Sequence, residues 1–435
     1  MGALDDDFQF VAASVERAAR LQRRECRDVL DGGALRGLAL ARHLDLVYDA
    51  VEQRVVDRRA EYQLAPDDTV RADAILEMRQ LVWDVRGFQS NLAWLAAAQQ
   101  PPLDLGTTYF LEDAARALVA SQVEVTVVST EHTSYATSSD PWEPLISAWG
   151  GGIPAGEPTV VIVFIPRREE RSGLLHPLIM HELGHAADSR HGLVDRIWQQ
   201  AGQRKRFPKR FSAAVAEFAA ATGAGIADAN DHVTRRLRSW IAESLCDCVA
   251  VRHLGPTYLY SFLAEVAAGS MDEAGPKHPP PRQRIKLLLQ NLDADRWTQV
   301  LTEADPRVDG WVRSLAAKNV DYSETDDFLT WAVDELRAVV RAETGRLLGT
   351  RVLAPDVAQL SEVTALIEAG IPPAQLRNGD AASRETIILA CWQSALANAG
   401  GGPEALAVAP DAPELADLLP AALELSAVTA AWTAP

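Results

Sequence analysis

The chain has 435 residues, of which 48% are hydrophobic and 23% are charged, and its formal net charge at pH 7 is −18. This composition is that of a folded globular protein with a sizeable core, which excludes a chain that is disordered throughout. The negative charge argues against a general nucleic-acid binder, because an anionic surface repels phosphate groups.

Helical spacing of apolar residues dominates the first hundred residues. It predicts three helices between positions 5 and 99, with breaks near Gly32 and at Pro66. Two short segments, 123–128 and 159–165, carry the β-strand signals, and a loop rich in glycine and proline precedes the second. We therefore expect a small sheet after an N-terminal helical region.

From position 174 onward the helical spacing returns, with interruptions that are rich in glycine and proline. The sequence thus predicts a mainly α fold with a small β-sheet, of the α+β class. We expect three regions along the chain: an N-terminal helical region (1–120), a central core (121–295) and a C-terminal helical region (296–435).

The run HELGH at 181–185 matches the pattern H-E-x-x-H within a predicted helix. Histidines four positions apart stand on one helix face, so the imidazoles of His181 and His185 can bind a single zinc ion. Glu182 is rotated away from that face but stays beside it, where it can accept a proton from a water molecule. This arrangement is typical of zinc peptidases.

The strand predicted at 159–165 precedes this helix in the sequence. Peptide-binding proteins often hold an extended chain through main-chain hydrogen bonds to an exposed strand edge. We therefore expect the strand to offer such an edge to a substrate, although a buried strand of a small sheet would show the same pattern.

A catalytic zinc site commonly has three protein ligands and an open position for water. One candidate for the third ligand is His191, whose spacing from His185 is that of the metzincins. In that pattern a glycine midway between the two histidines lets the chain turn sharply, and here Asp188 takes its place. The departure weakens the metzincin interpretation, which stays open.

The other candidate is Glu243, in the run ESLCD of a long predicted helix. Asp247 lies one helical turn after Glu243 and can accept the ring N–H of a metal-bound histidine, which would orient that ligand. The surrounding helix is largely apolar, and charged residues on such a helix usually have partners. We therefore prefer a zinc site made of His181, His185 and Glu243.

The sequence resembles the gluzincin metallopeptidases, in particular the family of the CAAX prenyl endopeptidase and its bacterial heat-shock relatives. The resemblance rests on HELGH at 181–185, ESLCD at 243–247 and HPPPRQRI at 278–285. It covers positions 174–285, without the membrane helices of those enzymes. The string HELGHAAD is also similar to that of soluble toxin-type gluzincins.

This resemblance implies a zincin-like core with His181, His185 and Glu243 as zinc ligands, Glu182 as general base and Asp247 as the acid that orients a ligand. It covers the central region of the chain and leaves the helical regions on either side without a role.

The resemblance also implies roles for residues that follow the zinc ligands. His278 would lie near the metal and either steady the oxyanion or cap the zinc, although a loop histidine beside prolines needs no such role. Arg284 would bind an acid near the site or tie down its own loop. We interpret Tyr258 as a core residue.

The sequence therefore predicts a zinc-dependent peptidase. The lack of a Gly-x-Met-Glu-Asn string, which the gluzincin aminopeptidases carry, favours an endopeptidase. The alternative from another class is a helical protein-interaction module that retains the zincin fold. The expected partners are a protein or peptide substrate and a regulatory protein.

Because the N-terminus shows no secretory signal and the clean apolar runs are shorter than a membrane span, we expect a cytoplasmic protein that contacts no membrane.

Overall fold

The computed structural model describes residues 3–32, 36–99, 103–131, 134–148, 151–266, 269–318, 320, 322–349 and 355–433. Within these ranges most residues are helical, and the β-structure is a single sheet of three strands together with an isolated bridge. The predicted mainly α fold with a small β-sheet is confirmed.

The first part of the chain contains six helices and three strands among the described residues: α1 (Ala3–Asp31), α2 (Leu38–Leu64), α3 (Asp68–Gly87), α4 (Gln89–Gln99), α5 (Leu105–Leu118), β1 (Val123–Thr130), β2 (Ala136–Ser139), α6 (Glu143–Ala148) and β3 (Thr159–Pro166). The described part of 5–99 thus holds four helices where apolar spacing predicts three. The extra boundary falls at Phe88, directly after Gly87, and glycine is a poor helix former.

The described remainder of the chain is mainly helical, with loops between the helices: α7 (Leu178–His191), α8 (Leu193–Gly202), α9 (Phe207–Thr222), α10 (Ile226–Leu254), α11 (Pro256–Val266), α12 (Pro281–Ala294), α13 (Thr298–Ala304), α14 (Pro306–Ala317), α15 (Glu324–Leu348), α16 (Val357–Glu368), α17 (Arg384–Asn398), α18 (Ala405–Val408) and α19 (Leu418–Thr433). The glycines near 223 and 400 and the prolines near 280 interrupt the helices where the sequence predicts breaks.

Strand β3 is the central strand of the sheet, because the strands are ordered β1-β3-β2. Its residues are buried except for Phe164, which is half-buried. Both of its edges are occupied by neighbours, so the expectation that this strand offers a free edge to a substrate is wrong. Strand β2 was not predicted because its sequence, ATSS, lacks apolar alternation.

The chain packs as two compact units that are discontinuous in sequence. Unit 1 comprises Met1–Pro102, Ala120–Thr130 and Ser138–Phe164, and unit 2 comprises Leu103–Val119, Glu131–Thr137 and Ile165–Pro435. Every residue of the predicted zinc site lies in unit 2. The three regions expected from the sequence follow chain order rather than packing, and they stay a prediction of domain organisation.

Helix α10 is the central helix of unit 2. It packs against α7, α9, α12 and α15, and its half from Trp240 to Leu254 is buried almost throughout. Helix α7 crosses it so closely that a Cβ atom on Gly184 would lie 2.9 Å from the Cα atom of Cys246. Because backbone occupies that space, a side chain at position 184 would push the two helices apart.

The C-terminal helix α19 packs against α5 and α17. Gly106 permits the first of these contacts, since a Cβ atom there would lie 2.5 Å from the backbone nitrogen of Glu424. Among the described residues, the segment Pro413–Trp432 is the one helical stretch long and apolar enough to cross a membrane, a test that core helices of soluble proteins also pass. Trp432 at its end is exposed.

The contact at Gly184 generates a first prediction. The substitution Gly184→Ala should lower the free energy of unfolding by about 1–3 kcal/mol, because the added methyl group meets backbone that cannot move independently. Denaturant titration followed by circular dichroism measures this loss. The matched control is Gly202→Ala near the end of α8, where a Cβ atom would meet nothing within 4 Å and stability should be unchanged or slightly higher. Equal stability of the two variants would contradict the close packing of α7 on α10.

Candidate metal centre

Helix α7 presents the two histidines of the HELGH run on one face. His181 and His185 are one helical turn apart, and their ring centroids are 5.0 Å apart with the ring planes nearly perpendicular. His181 is buried, whereas a third of the His185 side chain is exposed. The pair therefore faces an opening on one side and the protein interior on the other.

Helix α10 brings the carboxylate of Glu243 between these imidazoles. One oxygen, Oε2, lies 3.2 Å from His181 Nε2, and the other, Oε1, lies 3.3 Å from His185 Nε2. Glu243 is only 4% exposed. The structure thus brings together the three residues that the sequence predicts as metal ligands, each with a ligand atom turned towards the others.

Asp247, one turn further along α10, holds the other nitrogen of the buried histidine. Its Oδ1 atom lies 2.9 Å from His181 Nδ1, so the imidazole donates its Nδ1–H to this carboxylate and keeps Nε2 turned to Glu243. A metal-ligating histidine commonly has such a carboxylate partner, which fixes its tautomer and orientation. The structure therefore places Asp247 where the sequence predicts an orienting acid.

Arg284 on α12 forms a two-pronged ion pair with this aspartate. Its Nε donates to Asp247 Oδ2 at 2.8 Å and its Nη2 donates to Oδ1 at 2.7 Å, while the guanidinium lies over the ring of Phe262. Arg284 Nη1 also lies 3.4 Å from Glu243 Oε2. Of the two roles expected for Arg284, binding an acid near the site is the one the structure shows.

Tyr258 on α11 also contacts Asp247 and His181. Its hydroxyl donates to Asp247 Oδ1 at 2.6 Å and lies 3.1 Å from His181 Nδ1. The residue is fully buried, as predicted for a core position. Its contact with the acid was not predicted, since no feature of the sequence around Tyr258 singles out its hydroxyl as a partner of a residue on another helix.

The charges in this network stabilise one another. Burial alone would raise the pKa of Asp247, but Arg284 and His181 hold it well below its usual range. Burial would lower the pKa of His181, yet its contacts with Asp247 and Glu243 raise it to about 10. The site is therefore arranged to hold positive charge beside Glu243, either as a proton or as a metal cation.

Glu243 Oε2 carries a second sign that a cation belongs here. Besides His181 Nε2, it lies 3.0 Å from His278 Nδ1, but it makes no hydrogen bond of acceptable geometry. A buried carboxylate oxygen without a hydrogen bond is costly. A metal ion among these nitrogen and oxygen atoms would provide the missing partner, so the donor set fits a metal.

A thiol lies within the same cluster. His181, His185 and Cys246 each offer a ligand atom within 4.8 Å of the others, so this group could hold a metal ion. Sequence patterns do not single out Cys246, because a cysteine on a largely apolar helix is typical of a core position. Burial raises the pKa of the Cys246 thiol well above its usual value. All four cysteines are free and buried.

His278 lies at the exposed side of the cluster, in the turn that precedes α12. Its Nδ1 is 3.0 Å from Glu243 Oε2, and 57% of its side chain is exposed. The structure therefore places His278 near the predicted ligands, as expected, with its ring accessible to a bound molecule.

His191 lies apart from the cluster. Helix α7 continues unbroken to this residue and ends at Gly192, whose φ of 60° reverses the chain. The Nε2 atom of His191 donates to the carbonyl of Leu118 at 3.1 Å. Asp188 stays helical and its carboxylate accepts the N–H of Val194, so the sharp turn that would bring His191 to the metal is absent at this point. The geometry supports Glu243 as the third ligand.

Glu182 is half-buried beside the ligands. Burial raises the pKa of its carboxyl group, and the nearby His181 and His185 oppose that shift. The hydroxyl of Thr137, a residue of β2, donates to the Glu182 carbonyl at 2.7 Å. This hydrogen bond joins Thr137 to the turn of α7 that carries Glu182. The raised pKa makes this carboxylate a better proton acceptor than an ordinary glutamate.

Comparison of the chain with protein-family models, with curated proteins and with solved structures gave no match.

The buried ion pair leads to a second prediction. Arg284→Met should lower the free energy of unfolding of the metal-free protein by about 3 kcal/mol or more, because Asp247 then stays buried without its cationic partner. Arg313→Met is the control: Arg313 forms a partly exposed ion pair with Asp309 on α14, and its loss should cost less than about 1 kcal/mol. Denaturant unfolding after chelator treatment compares the two. A loss for Arg284→Met no larger than that of the control would contradict the proposed network.

Proposed function

We propose that this protein is a zinc-dependent peptidase of the gluzincin type, with His181, His185 and Glu243 as zinc ligands. The observation that carries the proposal is the Glu243 carboxylate, which lies with one oxygen near the Nε2 atom of each histidine. Two imidazoles and a carboxylate are a ligand set of catalytic zinc sites, which leave a position open for water. The exposed side of His185 is the side on which a substrate would approach.

We favour zinc over magnesium and calcium because two imidazoles and a carboxylate suit zinc, whereas magnesium and calcium prefer oxygen ligands alone. When bound, zinc would supply Lewis-acid chemistry, lowering the pKa of a water molecule and polarising the carbonyl group of the scissile bond. Glu243 is preferred to Cys246 because its two oxygens approach both imidazoles, while the thiol lies against the backbone of Gly184.

Glu182 would act as the general base. Its carboxylate accepts the proton of the attacking water and later returns a proton to the leaving amine. Its burial supports the first of these steps, because a raised pKa makes the carboxylate a better proton acceptor. Asp247, held by Arg284 and Tyr258, keeps the imidazole of His181 in the tautomer that ligation needs.

His278 would stabilise negative charge on the carbonyl oxygen during attack. Its ring is exposed and its Nδ1 lies near Glu243 Oε2, so the protonated imidazole, with an N–H on both nitrogens, would donate from Nε2 to the carbonyl oxygen. The proposed substrate is a polypeptide, cleaved internally.

A third prediction separates the three candidate ligands. Glu243→Ala should greatly lower zinc affinity, because two histidines alone hold zinc far less firmly than three protein ligands, whereas Cys246→Ala and His191→Ala should retain about one zinc per chain. Asp247→Asn should be intermediate, with a loss of about 10- to 100-fold in affinity. Metal analysis of the purified variants and competition with a chromogenic chelator give these values. Zinc lost from Cys246→Ala and kept by Glu243→Ala would replace the proposed ligand set.

A fourth prediction concerns the base. Glu182→Gln should keep its zinc but lose hydrolysis by a factor of about 10² or more, since an amide cannot accept the proton. The measurement is proteomic detection of new peptide termini in a mixture of unfolded proteins incubated with each form. Wild type that is loaded with zinc and yields no new termini, or a variant as active as wild type, would each count against the peptidase proposal.

A further inference from the structure

A cationic cleft adjoins the proposed zinc site on helix α10. Its volume is about 450 Å³. Its polar lining residues come from the N-terminal half of α10 and from the loop before α12: His232, Arg235, Arg236, Arg238, Ser239 and Lys277. Three arginines and a lysine around one cleft are unexpected in a chain whose net charge is −18.

The cleft is lined by Ser239, which lies one helical turn before the proposed zinc ligand Glu243 on α10. Ser239 precedes Glu243 by four residues, and Arg235 precedes Ser239 by four, so these side chains share a face of α10 at intervals of about 6 Å. On the opposite wall Lys277 is followed by His278, whose ring contacts Glu243. The residues next to the cleft lining on α10 and in the loop before α12 thus belong to the proposed zinc site.

Part of the positive charge is already neutralised within the protein. Arg236 pairs with Asp326, and Arg238 pairs with Asp195. Arg235 and Lys277 are exposed, and no carboxylate in the described part of the chain lies within ion-pair distance of either one. The cleft thus carries about two uncompensated positive charges.

The pKa of His232, which also lines the cleft, is affected by the same positive charges. Burial lowers the pKa of its imidazole, and the charges of Arg236 and Arg235 lower it further. Its ring stacks on Phe218 at a centroid distance of 4.3 Å, which holds it in the wall. The charges of Arg235 and Arg236 therefore act on the wall of the cleft that His232 forms.

We propose that this cleft binds the acidic side chains of a polypeptide substrate, on one side of the bond to be cleaved. This inference rests on the proposed peptidase function for its connection to the zinc site. An extended peptide advances about 3.3 Å per residue, so the 6–12 Å from Glu243 to Ser239 and Arg235 corresponds to about two to four residues. Glutamate or aspartate at those positions would meet Arg235 and Lys277.

Binding can be tested without hydrolysis, in full-length protein carrying Glu182→Gln. The probe is a fluorescein-labelled peptide of about ten residues in which glutamate alternates with serine, compared with glutamine–serine and lysine–serine peptides. Fluorescence anisotropy at low ionic strength should show preference for the glutamate peptide, and salt should weaken it. Arg235→Glu combined with Lys277→Glu should weaken its binding by roughly tenfold or more.

The matched control is Lys205→Glu combined with Lys209→Glu, at the start of α9, which changes the net charge by the same amount on exposed residues outside the cleft. This control should bind the glutamate peptide nearly as well as the parent. Equal losses in the two double variants would overturn the proposal, because net charge alone would then explain binding. A single-stranded oligonucleotide that binds more tightly than the glutamate peptide, and loses its binding in the Arg235→Glu, Lys277→Glu variant, would also overturn the proposal. The cleft would then be a nucleic-acid site.

A second measurement separates this proposal from the peptidase proposal. In an otherwise wild-type chain, cleavage sites should show acidic residues about two to four positions from the cut, and the cleft variant should lose that enrichment while still cutting. Hydrolysis without acidic preference would overturn the cleft proposal and leave the peptidase proposal standing. Cleft-dependent binding of the glutamate peptide without any hydrolysis would overturn the peptidase proposal and leave the binding of acidic side chains standing.

Discussion

The close packing of α7 against α10 is the constraint on which the site depends. Helix α7 supplies the two histidines and Glu182, and α10 supplies Glu243 and Asp247, so no cluster exists unless the two helices nearly touch. Gly184 makes this possible because the Cα atom of Cys246 occupies the space that a side chain would need. The same contact explains why a buried thiol lies within the cluster without being the preferred ligand.

A balance of buried charge follows from this packing. Two carboxylates, Glu243 and Asp247, are almost fully buried, and isolated buried charges are strongly unfavourable. Arg284 neutralises Asp247, while Glu243 faces imidazole nitrogens and keeps one oxygen without a well-formed hydrogen bond. A proton on an imidazole or a bound metal cation would complete the balance, so the cluster is able to hold a metal ion.

Much of the fold and of the candidate site follows from local sequence patterns. The helical spacing that predicts α7 and α10 also fixes which side chains share a face, so His181 and His185, or Glu243 and Asp247, can be paired without a structure. Strand β2 cannot be predicted in this way, because its four small residues, ATSS, show no alternation of apolar and polar side chains. The position of β3 in the sheet cannot be predicted in this way either, since the order of strands depends on pairing between distant segments.

Contacts across helices mark the other limit. The hydrogen bond of the Tyr258 hydroxyl to Asp247, the contact of Gly184 with Cys246 and the lining of the cationic cleft each bring together residues from different helices or loops. No local sequence pattern predicts these contacts. The choice between Glu243 and His191 could be argued from Asp188, but the structure adds the reason: α7 continues to His191, and the turn occurs only at Gly192. The clustering of His181, His185 and Glu243 was thus predictable from sequence, whereas the contact of Tyr258 with the acid was not.

The most direct test of the account is X-ray absorption spectroscopy at the zinc edge of the purified, zinc-loaded protein. The account predicts about one zinc per chain with nitrogen and oxygen neighbours at about 2.0–2.2 Å, from two imidazoles, a carboxylate and solvent. A sulfur neighbour at about 2.3 Å would show that Cys246 ligates the metal, and failure to take up zinc at all would contradict the central claim.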